Sequence, residues 1–172
     1  MIICETERLV LRELTLDDAP FILRLLNDPA WIEFIGDRGV RTADAARGYL
    51  ETRILKMYRD HGLGLWLVEK KDETTPAGIC GLLKRDTLNE VDLGYAFLPE
   101  FRGRGLAYEA GLASLVYGRT HLGLRRIIAL TAPKNFHSIA LLEKLGLRFE
   151  HTIAFPSAND TSNLYAWEAP AL

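Results

Sequence analysis

Two glycines alternating with arginines, in Arg102-Gly103-Arg104-Gly105-Leu106-Ala107, stand between an apolar strand-like run and a long helix-like one. That placement constrains the chain more than any other feature. Glycine at 103 and 105 lets the backbone take positive φ and approach a ligand closely, while the first-turn amides of the next helix have no intrahelical acceptor. Those amides and the positive end of the helix dipole suit a phosphate or pyrophosphate. A strand that feeds such a loop and then a helix predicts a mixed α and β architecture.

At 172 residues the chain is long enough to bury one continuous core without disulfides or metal. A net charge of −2 provides no global basic field, so nucleic acid is not expected as a direct partner. The two cysteines, Cys4 and Cys80, lack metal-ligand spacing, and no metal is expected. No segment reaches the roughly 18 apolar residues of a membrane span, and Met1 to Glu7 lacks a charged start followed by a long apolar core. A cytoplasmic protein without a membrane partner is the expectation.

Along the chain, Arg8 to Leu14 reads as a strand, and Thr15 with Asp18 forms a loose capping box before a helix ending near Asn27-Asp28-Pro29. Trp31 to Gly39 reads as a loop. A second helix is predicted from after Thr42 to about Asp60, stopped by Gly62. Leu63 to Glu69, Ala77 to Leu83 and Val91 to Leu98 form a predicted meander ended by Pro99. A helix over Arg104 to His121, a strand over Arg126 to Thr131, a helix over Ser138 to Leu145 and strands near Arg148 to Ile153 and Asn163 to Glu168 complete the order. The expected fold is one α+β domain over residues 1–172. Its central sheet is mixed, mostly antiparallel and seven-stranded, with about four helices.

A second element lies about thirty residues past the glycine loop. Asn135-Phe136-His137-Ser138-Ile139-Ala140-Leu141-Leu142-Glu143-Lys144-Leu145-Gly146-Leu147 resembles the N-x-x-S/A-x-x-L-x-E-K-L-G-F signature of the GNAT superfamily of N-acyltransferases. Arg102 to Ala107 is similar to that superfamily's [QR]-x-x-G-x-[GA] cofactor loop. Glu7 to Arg12, Asp92-Leu93-Gly94-Tyr95 and Tyr108-Glu109-Ala110 resemble the branch that acetylates ribosomal-protein N-termini. The resemblance implies acetyl-CoA as co-substrate and a primary amine as acceptor. Dimers occur in the superfamily, and no feature of this sequence demands one.

The resemblance and the residues together give a site. The strand at Val91 to Leu98 and the one at Arg126 to Thr131 are expected to splay apart, so that a pantetheine arm pairs with backbone at Ala96 to Leu98. Pyrophosphate is expected on Arg102, Gly103, Arg104, Gly105, Leu106 and Ala107. An amide near Phe97 or Leu98 would meet the thioester oxyanion. An acceptor α-amine titrates near about 8 and a lysine near about 10.4, so a base must take a proton before attack. Asp92 is the first candidate and Glu33 the second. Many superfamily members carry a tyrosine where this sequence has Leu142, and there it protonates the departing thiolate. In the ribosomal-protein branch that role is assigned to the serine matching Ser138. Asn135 is expected to bind pantetheine or the acceptor, and Trp31, Phe34 and Tyr95 to wall the acceptor pocket, with Trp66 a further aromatic of that kind. Glu109 reads as a structural ion-pair residue.

Two other readings are weaker. A dinucleotide-binding oxidoreductase would need a third glycine where Tyr108 stands, and no G-x-x-x-x-G-K-[ST] exists for an NTPase. A degenerate acyl-CoA sensor or scaffold that binds without transferring is the non-enzymatic alternative.

Overall fold

The computed structural model describes residues 1–154 and 161–169. In chain order the elements are β1 (Ile2–Glu5), β2 (Leu9–Arg12), α1 (Ala19–Leu26), α2 (Pro29–Phe34), α3 (Ala43–Tyr49), a π-helical turn (Leu50–Leu55) and α4 (Lys56–His61). They continue with β3 (Leu65–Lys70), β4 (Thr75–Lys84), β5 (Val91–Phe97), α5 (Leu106–Thr120), β6 (Arg126–Thr131), α6 (Phe136–Lys144), β7 (Arg148–Ala154) and β8 (Thr161–Glu168). All the strands join one sheet of order β1-β2-β3-β4-β5-β6-β8-β7, and β5 with β6 is its parallel pair.

Two differences from the sequence reading have local causes. Among the described residues the sheet has eight strands rather than seven, because β1 adds an edge antiparallel to β2. With Ile2 59% exposed and only four residues, β1 shows no apolar alternation to read. The helical segments number five rather than four when α3, the π turn and α4 are taken as one rod, because part of the predicted loop after Asp28 is α2. Asp28 and Pro29 were read as a helix stop. They are instead a start: the Asp28 carboxylate accepts the Trp31 amide at 3.2 Å and Pro29 takes the first turn, where its missing N–H costs nothing.

Burial follows the apolar pattern. In α1 the buried side chains are Ala19, Ile22, Leu25 and Leu26, one stripe at helical spacing. Removing each of its large apolar side chains from water contributes about 1.5–3 kcal/mol. The stripe joins a core in which Leu9, Leu11, Leu67 and Leu82 are fully buried.

Which face of β5 a side chain takes is set by its cross-strand partner. Tyr95 pairs with Cys80 and Cys80 with Trp66, so the three share a face. On that face Cys80 Sγ lies 3.4 Å from Ser114 Oγ of α5, and Trp66 meets the Tyr117 ring edge-on at 5.1 Å. Asp92, Gly94 and Ala96 therefore point to the opposite face. There Leu65, Ile79 and Asp92 border the same cleft as Tyr49, Ile54 and Met57 of the α3–α4 rod.

Candidate active site

The parallel pair is short. Asp92 pairs with Ile128, and no further register links β5 to β6. Beyond that point the strands part, as expected from Pro99. Asp92 is at the apex with its side chain buried, and its carboxylate accepts a hydrogen bond from Arg85 Nε at 2.6 Å and another from the Leu130 amide. The side chain thus satisfies a β6 donor at the place where the ladder stops. Burial pushes the Asp92 carboxyl above the usual carboxylate range, with Arg85 and the Leu130 amide pulling the other way.

The parting opens a cleft of about 1250 Å³ that passes from the α5 face of the sheet to the face of the α3–α4 rod. Gly103, Gly105, Leu106, Ala107, Asn135 and Ser138 border it on the α5–α6 side. Gly103 and Gly105 have φ of +70° and +76°, and a Cβ at Gly103 would meet nothing within 4 Å. This is the open, amide-lined turn that an anion needs, with Gly105 at the N-cap of α5. The residues therefore fit a pyrophosphate. Glu109 fixes the turn from below: it accepts Thr6 Oγ1 at 2.5 Å, the Arg8 amide at 2.9 Å and Arg8 Nε at 2.6 Å, while Arg8 also donates to the Arg104 carbonyl.

The arginine side chains of the loop were expected to reinforce phosphate binding, and the structure places Arg102 elsewhere. Arg102 Nε donates to the Phe97 carbonyl at 2.9 Å, and its terminal nitrogen forms an ion pair with buried Asp28. It ties the end of β5 to the α1–α2 corner. Arg104 is exposed.

The expected oxyanion donors separate as well. The Leu98 amide donates to the Ala77 carbonyl at 3.0 Å and is thereby engaged with β4. Successive amides of a strand point to opposite edges, so the Phe97 amide points to the edge that β6 has left.

At α6, the Asn135 carboxamide oxygen accepts the Ser138 amide at 3.2 Å, so Asn135 is the N-cap. Ser138 Oγ lies 2.7 Å from the Tyr95 hydroxyl, and the Ser138 carbonyl lies 3.3 Å from the same oxygen as the alternative acceptor of its one proton. Burial raises the Tyr95 phenol well above its ordinary value, with Ser138 opposing, so it stays protonated. Nothing in linear spacing signals this pairing. Leu142, at the tyrosine position of other superfamily members, is buried.

Trp31 and Phe34 line the cleft as expected, and the Trp31 indole donates to the Gly36 carbonyl at 3.1 Å. Trp66 does not; it is core. Glu33 is exposed on α2 and is not among the cleft residues, so the structure brings Asp92 but not Glu33 to the site. Sequence reasoning missed Tyr49, Arg38, Arg53 and Arg85 on the rod face of the cleft. Burial pushes the Tyr49 phenol up, and the positive charges of the three arginines, which border the same cleft, oppose the shift.

The sheet is split at one parallel pair, and the glycine turn before α5 and Ser138 of α6 both border the gap. The chain belongs to the GNAT acetyltransferase family: the acetyltransferase (GNAT) domain matches residues 8–148. It is 32% identical over 145 residues to the uncharacterized N-acetyltransferase YjgM of Escherichia coli, covering 83% of this chain and 82% of that protein. A GNAT-family acetyltransferase structure from Bacillus anthracis superposes with TM-score 0.79 at 26% identity, covering 98% of both chains. RimL, titled a ribosomal L7/L12 α-N-protein acetyltransferase in complex with coenzyme A, superposes with TM-score 0.83 over 98% of both chains. At 18% identity it shares the fold. Among the described residues no helix is long and apolar enough to cross a membrane.

Proposed function

We propose that this acetyltransferase takes acetyl-CoA as donor and passes its acetyl group directly to a primary amine in a ternary complex. The observation that carries the reading is the cleft itself, which runs through the sheet and gives donor and acceptor separate faces. On the α5–α6 side the amides from Gly103 to Ala107 would hold the pyrophosphate, and the open edge of β5 would pair with the pantetheine arm. Bound there, acetyl-CoA supplies an activated acetyl group; the remaining work falls to the chain's own residues.

The Phe97 amide is the donor placed to meet negative charge on the acyl oxygen. Ser138 acts as the hydrogen-bond donor to the leaving sulfur. Tyr95, partly buried and protonated, is placed to give its one proton to Ser138 Oγ and so polarise the serine O–H. A thiol ionises near about 8.5, so its thiolate needs stabilisation more than a strong acid. On the opposite face Asp92 is the carboxylate positioned to take the proton of an incoming ammonium, and its burial raises its basicity.

The test is release of free CoA thiol from acetyl-CoA on addition of an amine panel, beside a measurement of CoA binding. Thiol release that depends on the amine supports transfer. CoA binding without thiol release on any acceptor would leave only the sensor.

A further inference from the structure

The rod face of the cleft has a charge and shape of its own, distinct from the cofactor side. Three arginines from three separated segments converge on it: Arg38 from the turn between α2 and α3, Arg53 from the π-helical turn, and Arg85 from the end of β4. Tyr49 borders the cleft beside them, and their positive charges oppose the rise that burial gives its phenol. Arg85 is committed to Asp92. Arg38 and Arg53 are exposed, and among the described residues neither has an ion-pair partner. The acids of the cleft are Asp28, held by Arg102, exposed Asp86, and the Asp92 that Arg85 already balances, while Asp37 next to Arg38 pairs with Arg41.

The π turn lies in this arrangement: Arg53 and Ile54 within it, and Tyr49 and Met57 on either side, all border the cleft. The surrounding wall is apolar: Trp31, Phe34, Ile35, Met57 and Leu83. A polyamine would bring further positive charge to this surface and meet repulsion. A plain alkylamine would leave the guanidinium groups without a partner. An amine that also carries a carboxylate would set its ammonium toward Asp92 and its carboxylate toward Arg38 and Arg53, and guanidinium forks are suited to carboxylates.

We infer that the acceptor is a small amine bearing a carboxylate and an apolar body, of the kind an apolar α-amino acid presents, and that Arg38 and Arg53 select it. This rests on the acetyl-transfer reading for its chemistry and on the arginine placement for its specificity.

Two readouts separate the two. The first is kcat/KM for matched pairs that differ by the carboxylate, L-phenylalanine against phenethylamine and L-leucine against 3-methylbutylamine, with spermidine added. The second is calorimetric binding of the same compounds in the presence of CoA, which needs no turnover. The acids are expected to exceed their decarboxylated partners at least about tenfold in both. In Arg38→Gln/Arg53→Gln that ratio falls to within about threefold of one. Amines or spermidine equal to or better than the acids, a ratio that survives the double substitution, or no binding of any acid would overturn the inference. Carboxylate-selective binding that the double variant loses, with no acetyl transfer, would uphold the arginine site and count against the proposed reaction instead.

Discussion

The Tyr95 hydroxyl on β5 and Ser138 Oγ on α6 lie 2.7 Å apart across the gap where the sheet parts, joining the two walls of the cleft by one hydrogen bond. The residues are 43 positions apart in sequence. Position 142, where the resemblance to the superfamily implies a phenol, holds a buried leucine, and the Tyr95 phenol reaches the same helix from a strand instead.

Ser138→Ala is expected to lower kcat by about 10²-fold, at the low end of general-acid contributions, while changing CoA affinity by less than about threefold. Tyr95→Phe, which keeps the ring and removes the hydroxyl, is expected to lower kcat by about three- to tenfold through loss of one hydrogen bond. Steady-state kinetics beside CoA titration checks both. A Ser138→Ala enzyme with unchanged turnover would reject the assignment.

Gly105→Asp is expected to weaken CoA binding at least tenfold, about 1.4 kcal/mol. It sets a carboxylate against the pyrophosphate position in a backbone of φ +76°. Gly103→Ala is the comparison, since its Cβ meets open space and adds backbone strain without charge. Equal CoA affinity in Gly105→Asp and the parent would place the anion elsewhere.

Arg102→Ala is expected to destabilise the fold by about 2–3 kcal/mol, less than a fully buried pair because the guanidinium is 41% exposed. For a chain of this length that is a fall in Tm of about 4–12 °C. The loss arises because Asp28, 4% exposed, would keep its charge without its partner. Differential scanning calorimetry decides it, and a shift below about 1 °C would contradict the structural role given to this arginine.

Stability should fall with acid through Glu109. Burial works to raise its carboxyl, but hydrogen bonds from Thr6 and from the Arg8 amide and side chain hold it below the ordinary value of 4.5. A depressed folded value means the contribution is fully present above the ordinary value and is lost as pH falls through the lower folded one. Glu109→Gln should therefore cost about 1–3 kcal/mol at pH 7 and show a shallower loss of stability below about pH 4.5 than the parent. Urea melts at pH 7 and pH 3.5 measure the difference, and parallel losses in the two proteins would exclude Glu109 as the source.

Much of the fold was legible because it is written in short-range terms. Apolar runs bounded by a polar, proline-containing loop and by Pro99 mark β3, β4 and β5, the glycine after the helix ending at His61 marks its stop, and the predicted strand Arg126–Thr131 coincides with β6. Where local signals were ambiguous the reading went wrong: Asp28-Pro29 serves equally as a helix end or a helix start, and only the capped Trp31 amide distinguishes them. The edge strand β1 carries too little buried surface to leave a pattern.

The glycine turn before α5 was determined by the sequence alone, since positive φ at Gly103 and Gly105 and the unsatisfied amides after them are properties of adjacent residues. Tertiary structure decided what surrounds it. Arg102 faces Asp28, Leu98 gives its amide to Ala77, Asp92 caps the parting of β5 from β6, and arginines from three segments border one cleft with Tyr49. Each of those depends on which strand edge stays paired and which helix packs on which face, and such through-space relations between distant residues leave no period or spacing in the chain.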